Sequence, residues 1–220
     1  LRDTDPKAIR RGYGVILERT VCELRGLSCL PLELAAPPRQ QIMVSRSFGT
    51  RLVAKDGLKA ALAHFAARAG EKLRAQGLAT QALQAFVQTS PHDATRPYSN
   101  AVTVAFAQPT QDSGALVQAA LSGLERIFRP GLEYQRAGVL LLDLAPAARA
   151  QGSLFAIEDA AGTGRAARLM EALDQINQRH GRGTLRYAAE ASSTEWRMRQ
   201  RLKSPAYTTQ WGELPVVRAS

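Results

Sequence analysis

Apolar side chains recur along this chain in two periods, and the switches between them mark out its elements. Leu17, Val21 and Leu24 stand three and four apart, the spacing of one helix face, and Gly26 ends the run, so a short amphipathic helix is expected over Glu18 to Arg25. Pro37-Pro38 disfavours helix and opens a new unit. From Gln40 the period becomes two: Ile42, Val44 and Phe48 take related positions with Gln41, Met43 and Ser45 between them, which predicts a strand. Leu58, Leu62, Phe65, Ala69 and Leu73 return to helical spacing, with Lys59, Arg68, Lys72 and Arg74 on the other face, until Gln76-Gly77 closes the helix.

The second half of the pattern repeats the theme. Leu83, Ala85 and Val87 share one face of a strand expected from Leu78 to Thr89, and Val102, Val104 and Phe106 alternate in a second one from Ala101 to Ala107. A helix on Leu116, Ala120, Leu124 and Ile127 starts near Asp112, runs to Phe128 and stops at Pro130-Gly131; Tyr134 to Leu144 is the last strand. Strand, helix, strand, strand, helix, strand is the order of a split βαββαβ α+β fold. Its two helices cover one face of a four-stranded antiparallel sheet and leave the other face open to a partner.

Beyond Pro146 to Arg149 the composition breaks, and QGSLFAIEDAAGTGR reads as a linker holding a short apolar island. Leu169, Leu173 and Ile176 predict a helix over Ala166 to Arg179, after which HGRGTLRYAAE turns and resumes as a short strand. The tail SPAYTTQWGELPVV, with Tyr207, Trp211, Leu214 and Val217, is too apolar for disorder and is expected to dock.

Composition narrows the function. A chain of 220 residues, 45% hydrophobic, can build one or two cored domains. Its longest oily run, Val139 to Leu144, is broken by Asp143, which excludes a membrane span and makes a membrane partner unexpected. Lys and Arg number 29 against 19 Asp and Glu, a formal charge of +10 that favours a polyanionic partner. Cys22 and Cys29 are too few for a disulfide scaffold, so a reducing cytoplasm is the expected compartment. The chain opens on Leu1 and a charged segment without a signal-peptide pattern, and a piece of a longer protein is expected.

Catalysis has little to stand on. His64, His92 and His180 form no metal-ligand spacing, and no pair of carboxylates signals two-metal phosphoryl transfer. Asp112 reads as a helix start and Asp174 as a solvated helix residue. AGTGR at 161–165 lacks the Lys-Ser/Thr ending of a phosphate loop and reads as a flexible connector. No catalytic residue, metal or cofactor is expected in this piece.

Nucleic-acid contact has more support. Arg39, Arg46, Arg51 and Lys55 bracket the first strand, Ser45 and Ser47 alternate with its apolar positions, and Arg96 stands at the junction feeding the third strand. Cations neutralise phosphates while hydroxyls and backbone amides place them without reading bases; the alternative is an ordinary solvated sheet face. In the linker, Gln151 can hydrogen-bond at a pocket rim while Leu154 and Phe155 fill apolar pockets, or the same residues can dock on their own domain.

GVILERTVCELRG, PPRQQIMVSRSFG, KLRAQG, FVQTSP, PTQDS, LLLDLAP, QGSLF, LDQINQRHGRGTLRYAAE and EWRMRQRLKSPAYTTQW, in this order over most of the chain, resemble the C-terminal portion of the UmuC family. These are catalytic subunits of bacterial Y-family translesion DNA polymerases, chromosomal and plasmid-borne. The resemblance implies a thumb-domain remnant and linker at 1–35, a little-finger DNA-binding domain at 36–147, a linker with a clamp-binding peptide at 148–164, and a UmuC-type C-terminal region at 165–220. It implies grip on primer-template DNA through Arg39, Ser45, Arg46, Ser47, Arg51, Lys55 and Arg96, and entry of Gln151, Leu154 and Phe155 into the pocket of the β sliding clamp. A processed UmuD-like subunit and the RecA filament are the further implied partners, and error-prone synthesis in SOS DNA repair and mutagenesis the implied setting. The palm, with the carboxylates that hold Mg²⁺ in the full-length parent, falls outside these residues. The piece is therefore not expected to polymerise DNA alone.

Overall fold

The computed structural model describes residues 1–30, 39–92, 97–147, 160–191, 196 and 204–214, with side chains of the last helix described from residue 164. The chain divides into two compact units, Leu1–Pro38 and Arg39–Ser220.

The first unit holds α1 (Pro6–Tyr13) and α2 (Val15–Leu24). The charged opening segment, to which the hydrophobic pattern assigns no element, begins a helix. The Asp5 carboxylate accepts from the Lys7 N–H at 3.2 Å, and Pro6 occupies the first turn, where its missing N–H leaves no bond unmade. Gly14, at φ 87°, separates the two helices, a conformation that an L side chain resists. Ile9 and Val21 are buried, and the Arg25 guanidinium donates to the carbonyls of Arg2 and Thr4 at 2.7 and 2.9 Å, fastening the end of α2 to the start of the chain.

In the second unit the order is β1 (Ile42–Leu52), α3 (Lys55–Arg74), β2 (Leu78–Thr89), β3 (Ser99–Thr110), α4 (Ser113–Ile127), β4 (Tyr134–Pro146) and α5 (Ala160–His180). The four strands form one antiparallel sheet in the order β1-β4-β2-β3. This is the α+β arrangement expected from the alternation. Leu83, Ala85 and Val87 of β2 and Ala137, Val139 and Leu141 of β4 are buried in one core with Leu58, Leu62 and Leu73 of α3 and Leu116, Leu124 and Ile127 of α4. Burying each large aliphatic side chain there contributes about 1.5–3 kcal/mol. Two glycines set the helix positions. A Cβ on Gly70 would lie 3.1 Å from Leu116 Cδ1 and 2.5 Å from Ser113 Oγ, and one on Gly123 would lie 3.1 Å from both Ala85 Cβ and Val102 Cγ1. Without side chains at these points α3 approaches α4, and α4 approaches the sheet.

The C-terminal region adds a layer on the helical side. Asp174 is a partner of Arg74 rather than a solvated residue: the guanidinium donates from Nε and Nη2 to its two carboxylate oxygens at 2.6 and 2.7 Å. Met170 is buried and its sulfur accepts from the Ser113 N–H at 3.4 Å, while Leu169 and Ile176, of the apolar stripe that predicts the helix, are exposed. A shift of one residue in the docked stripe turns the helix so that Arg74 can be neutralised. Residues 161–165 belong to α5 rather than to a connector; the alanines around them favour helix. The expected short strand in HGRGTLRYAAE is instead a set of turns and a single 3-10 turn, Ala188–Glu190. Glu190 is buried there, meeting His64 Nδ1 at 2.9 Å and the Tyr187 N–H at 3.0 Å, and Trp196 packs its ring 5.4 Å from Phe65 and 4.9 Å from His64. In the tail, Tyr207, Trp211 and Leu214 are exposed, Trp211 to 87%.

Candidate nucleic-acid interface

Strand alternation assigns every second residue to the sheet face that α3 and α4 leave uncovered. Cross-strand pairing groups Met43, Ser45 and Ser47 of β1 with Leu140, Gly138 and Arg136 of β4, then with Gln84, Phe86 and Gln88 of β2, then with Thr103, Ala101 and Ser99 of β3. None of these positions is acidic. The face is therefore a field of hydroxyl, amide and guanidinium groups around a small apolar centre.

Its side chains hold one another in place. Arg136 donates from Nη2 to Ser45 Oγ at 2.9 Å, and Gln84 and Gln88 donate to the hydroxyls of Thr103 and Ser99 at 3.2 and 3.3 Å. A guanidinium has five N–H groups, so this bond fixes Arg136 while leaving donors for an anion. Gly138 lies at the centre of the face. A Cβ there would come within 2.6 Å of Phe86 Cζ and closer still to Ser45 Cβ, so glycine lets the Phe86 ring lie flat over the strand.

The residues singled out from the sequence divide into groups. Ser45 and Ser47 lie on the open face. Arg46 has the opposite parity, level with the buried Ala137, and stays exposed because β1 is an edge strand. Arg51 pairs with Glu133 at 2.8 Å, and Lys55 pairs with Glu125, which also meets Lys59 at 3.4 Å. Lys55 holds the Glu125 carboxyl below its ordinary value near 4.5. The Lys55 ammonium also sits 5.5 Å from the Phe128 ring centre. Arg39 is exposed just before β1. Arg96 and the peptide residues Gln151, Leu154 and Phe155 lie outside the described residues.

Sequence reasoning missed Arg136. The signal was present in the strand period, since Arg136 alternates with the apolar Ala137, Val139 and Leu141, but its partner Ser45 is 91 residues away in the chain. Tyr98, just before β3, serves the core: its hydroxyl donates to the Ile127 carbonyl at 2.7 Å and caps the end of α4. Among the described residues no group of three or more His, Cys, Asp and Glu side chains is placed to hold a metal ion. No helix among them is long and apolar enough to cross a membrane.

A four-stranded antiparallel sheet backed by two helices, with an open face that carries no carboxylate at these paired positions, defines a little-finger-type α+β domain. Residues 39–154 match the impB/mucB/samB family C-terminal domain, and residues 167–217 match a domain of unknown function, DUF4113. The chain is 43% identical over 211 residues to Protein UmuC of Salmonella typhimurium, covering 96% of this chain and 50% of that protein. It is 41% identical over 211 residues to Protein ImpB of Salmonella typhimurium, covering 96% and 49% respectively. To Protein MucB of Escherichia coli it is 40% identical over 217 residues, covering 98% and 50%. The chain belongs to the UmuC/ImpB/SamB/MucB family and spans about half the length of these relatives.

Proposed function

We propose that this chain is the DNA-gripping and clamp-targeting portion of an error-prone translesion DNA polymerase, working in the cytoplasm in SOS DNA repair and mutagenesis. The observation that carries the reading is the open sheet face, where Ser45, Ser47, Arg136, Gln88 and Ser99 present donors and none of the paired positions around them is acidic. Such a surface suits the sugar-phosphate backbone of primer-template DNA without reading bases. Arg39 and Arg46, both exposed, add positive charge to the same domain, and Arg51, Lys55 and Arg96 are the further proposed phosphate contacts. Residues 36–150 hold 13 basic and seven acidic side chains, a balance of +6 that draws the duplex in and makes the grip salt-dependent.

Gln151, Leu154 and Phe155 form the anchor for the β sliding clamp, and the linker around them raises the local concentration of the DNA-binding domain at the primer end. The partition into 1–35, 36–147, 148–164 and 165–220 follows from that division of labour. In the full-length parent a palm outside these residues would hold Mg²⁺ and transfer the nucleotidyl group. A processed UmuD-like subunit and the RecA filament would meet the C-terminal region. Binding of the purified chain to fluorescent primer-template DNA over a salt series, with and without clamp, tests the proposal. Salt-sensitive DNA binding together with clamp association is expected. Clamp association without DNA binding near physiological salt would make the chain an adaptor instead.

A further inference from the structure

We propose that Cys22 and Cys29 form a reversible dithiol/disulfide pair, a redox modification site at the end of α2. The turn that ends α2 brings them together. Arg25 N–H and Leu27 N–H both donate to the Cys22 carbonyl at 3.0 Å, Gly26 N–H donates to the Glu23 carbonyl at 2.9 Å, and Gly26 takes φ 83°. This reverses the chain over the last turn of the helix. Cys29 consequently comes back alongside α2, its thiol 3.7 Å from the Arg19 carbonyl and 3.6 Å from the Leu27 carbonyl. Residues 19 and 22 are one helical step of three apart, on one face, so the returning Sγ arrives beside the Cys22 side chain.

Two further observations fit. Both thiols are partly exposed, open to a small oxidant. The Cys29 thiol is pushed above its ordinary value, first by desolvation and then by the Cys22 thiol and the hydrogen bond between the two. The chain has no other cysteines, so neither thiol competes with a third.

The chemistry needs a two-electron oxidant, and a peroxide supplies it. A thiolate attacks one peroxide oxygen, the O–O bond breaks, and hydroxide leaves to take up a proton as water, giving a sulfenic acid. The second thiol then attacks that sulfur, the S–O bond breaks, and a second water leaves as the S–S bond forms. An excess of a small thiol such as glutathione returns both sulfurs to the reduced state by exchange. A raised Cys29 value makes its own thiolate scarce at neutral pH, so attack by Cys29 speeds up as pH rises.

The full chain is oxidised with dilute hydrogen peroxide, alkylated to trap remaining thiols, and digested with trypsin. Arg25 lies between the cysteines, so cleavage there separates a peptide bearing Cys22 from one bearing Cys29 unless a disulfide joins them. The expected product is the joined pair, lost on reduction, with both peptides from one chain and no disulfide-linked dimer on a non-reducing gel. Equilibration with a glutathione redox buffer then gives the effective concentration of one thiol at the other, expected to be about tenfold or more higher in the folded chain than in urea. Equal values in the two states, peroxide products stopping at sulfinic acid on separate peptides, or disulfides only between chains would each overturn the proposal. Cys22→Ser is expected to leave Cys29 to over-oxidise; continued protection of Cys29 in that variant would overturn it as well.

Discussion

Arg74 and Asp174 are 100 residues apart in sequence and meet in two parallel N–H···O bonds of 2.6 and 2.7 Å, each side chain largely shielded from water. Arg74 spends its Nη1 on the Gln111 carbonyl and on Ser113 Oγ, both at 2.8 Å, so one guanidinium joins α3, the start of α4 and α5. Asp174→Ala leaves that guanidinium without its counter-charge in a half-buried place, at a cost of about 2–3 kcal/mol. Hydrogen exchange is expected to speed up through α5 and much less in the sheet. Uniform loss of protection would mean that α5 is not a separable layer.

Tyr134 is buried, and its hydroxyl both accepts from the Arg129 N–H at 2.7 Å and donates to the Arg129 carbonyl at 3.0 Å. Tyr134→Phe loses both bonds and is expected to lower stability by about 1–3 kcal/mol. Burial pushes the phenol above its ordinary value of 10.0. The folded state therefore favours the protonated ring, and this contribution is present below pH 10 and lost as pH rises through the higher folded value. The thermal midpoint of wild type is expected to fall toward that of Tyr134→Phe above pH 10. A gap that stays constant into the alkaline range would contradict it.

Glu125 holds Lys55 and Lys59 on the surface where DNA is proposed to pass. Its folded value is lowered, so the pair adds stability above about pH 4.5 that disappears as pH falls through the folded value. Both groups face solvent, which keeps the effect small. Wild type and Glu125→Gln should therefore converge in thermal midpoint at acid pH. At neutral pH Glu125→Gln is expected to bind DNA more tightly, since two ammonium groups are released to phosphates. Unchanged affinity would place Lys55 and Lys59 outside the interface.

Leu154→Ala with Phe155→Ala removes two apolar anchors from the linker. Clamp association is expected to fall at least about a hundredfold, by the cost of losing two anchors, with DNA affinity unchanged when no clamp is present. Equal loss of both, measured by titrating DNA and clamp separately, would point to a shared surface or to misfolding.

The sheet and its two helices were legible because their signals are local. β2 runs from Leu78 to Thr89 as its alternation predicted, and Asp112 starts α4, its carboxylate accepting from the Gly114 N–H at 2.8 Å. What escaped depends on residues far apart. Leu169, Leu173 and Ile176 made a regular helical stripe, but the helix docks on Met170 and Asp174, because Arg74 demands a carboxylate more strongly than a leucine demands burial. Serine positions on β1 were found from parity alone; Arg136 became a candidate only once β4 was placed beside them. α1 was missed although Asp5-Pro6 is a local start signal, because PKAIRRGY holds too few apolar side chains to mark a helical period.

The most direct test of the DNA grip compares wild type, Arg136→Ala and Arg186→Ala by fluorescence anisotropy on primer-template DNA over a salt series. Arg186 is exposed in the C-terminal region and serves as a control of equal charge. If Arg136 neutralises a phosphate, its loss weakens binding about fivefold or more and makes the slope of log affinity against log salt shallower by about one. Arg186→Ala should stay close to wild type. Equal effects of the two substitutions, or binding that ignores salt, would contradict a grip built on the open sheet face.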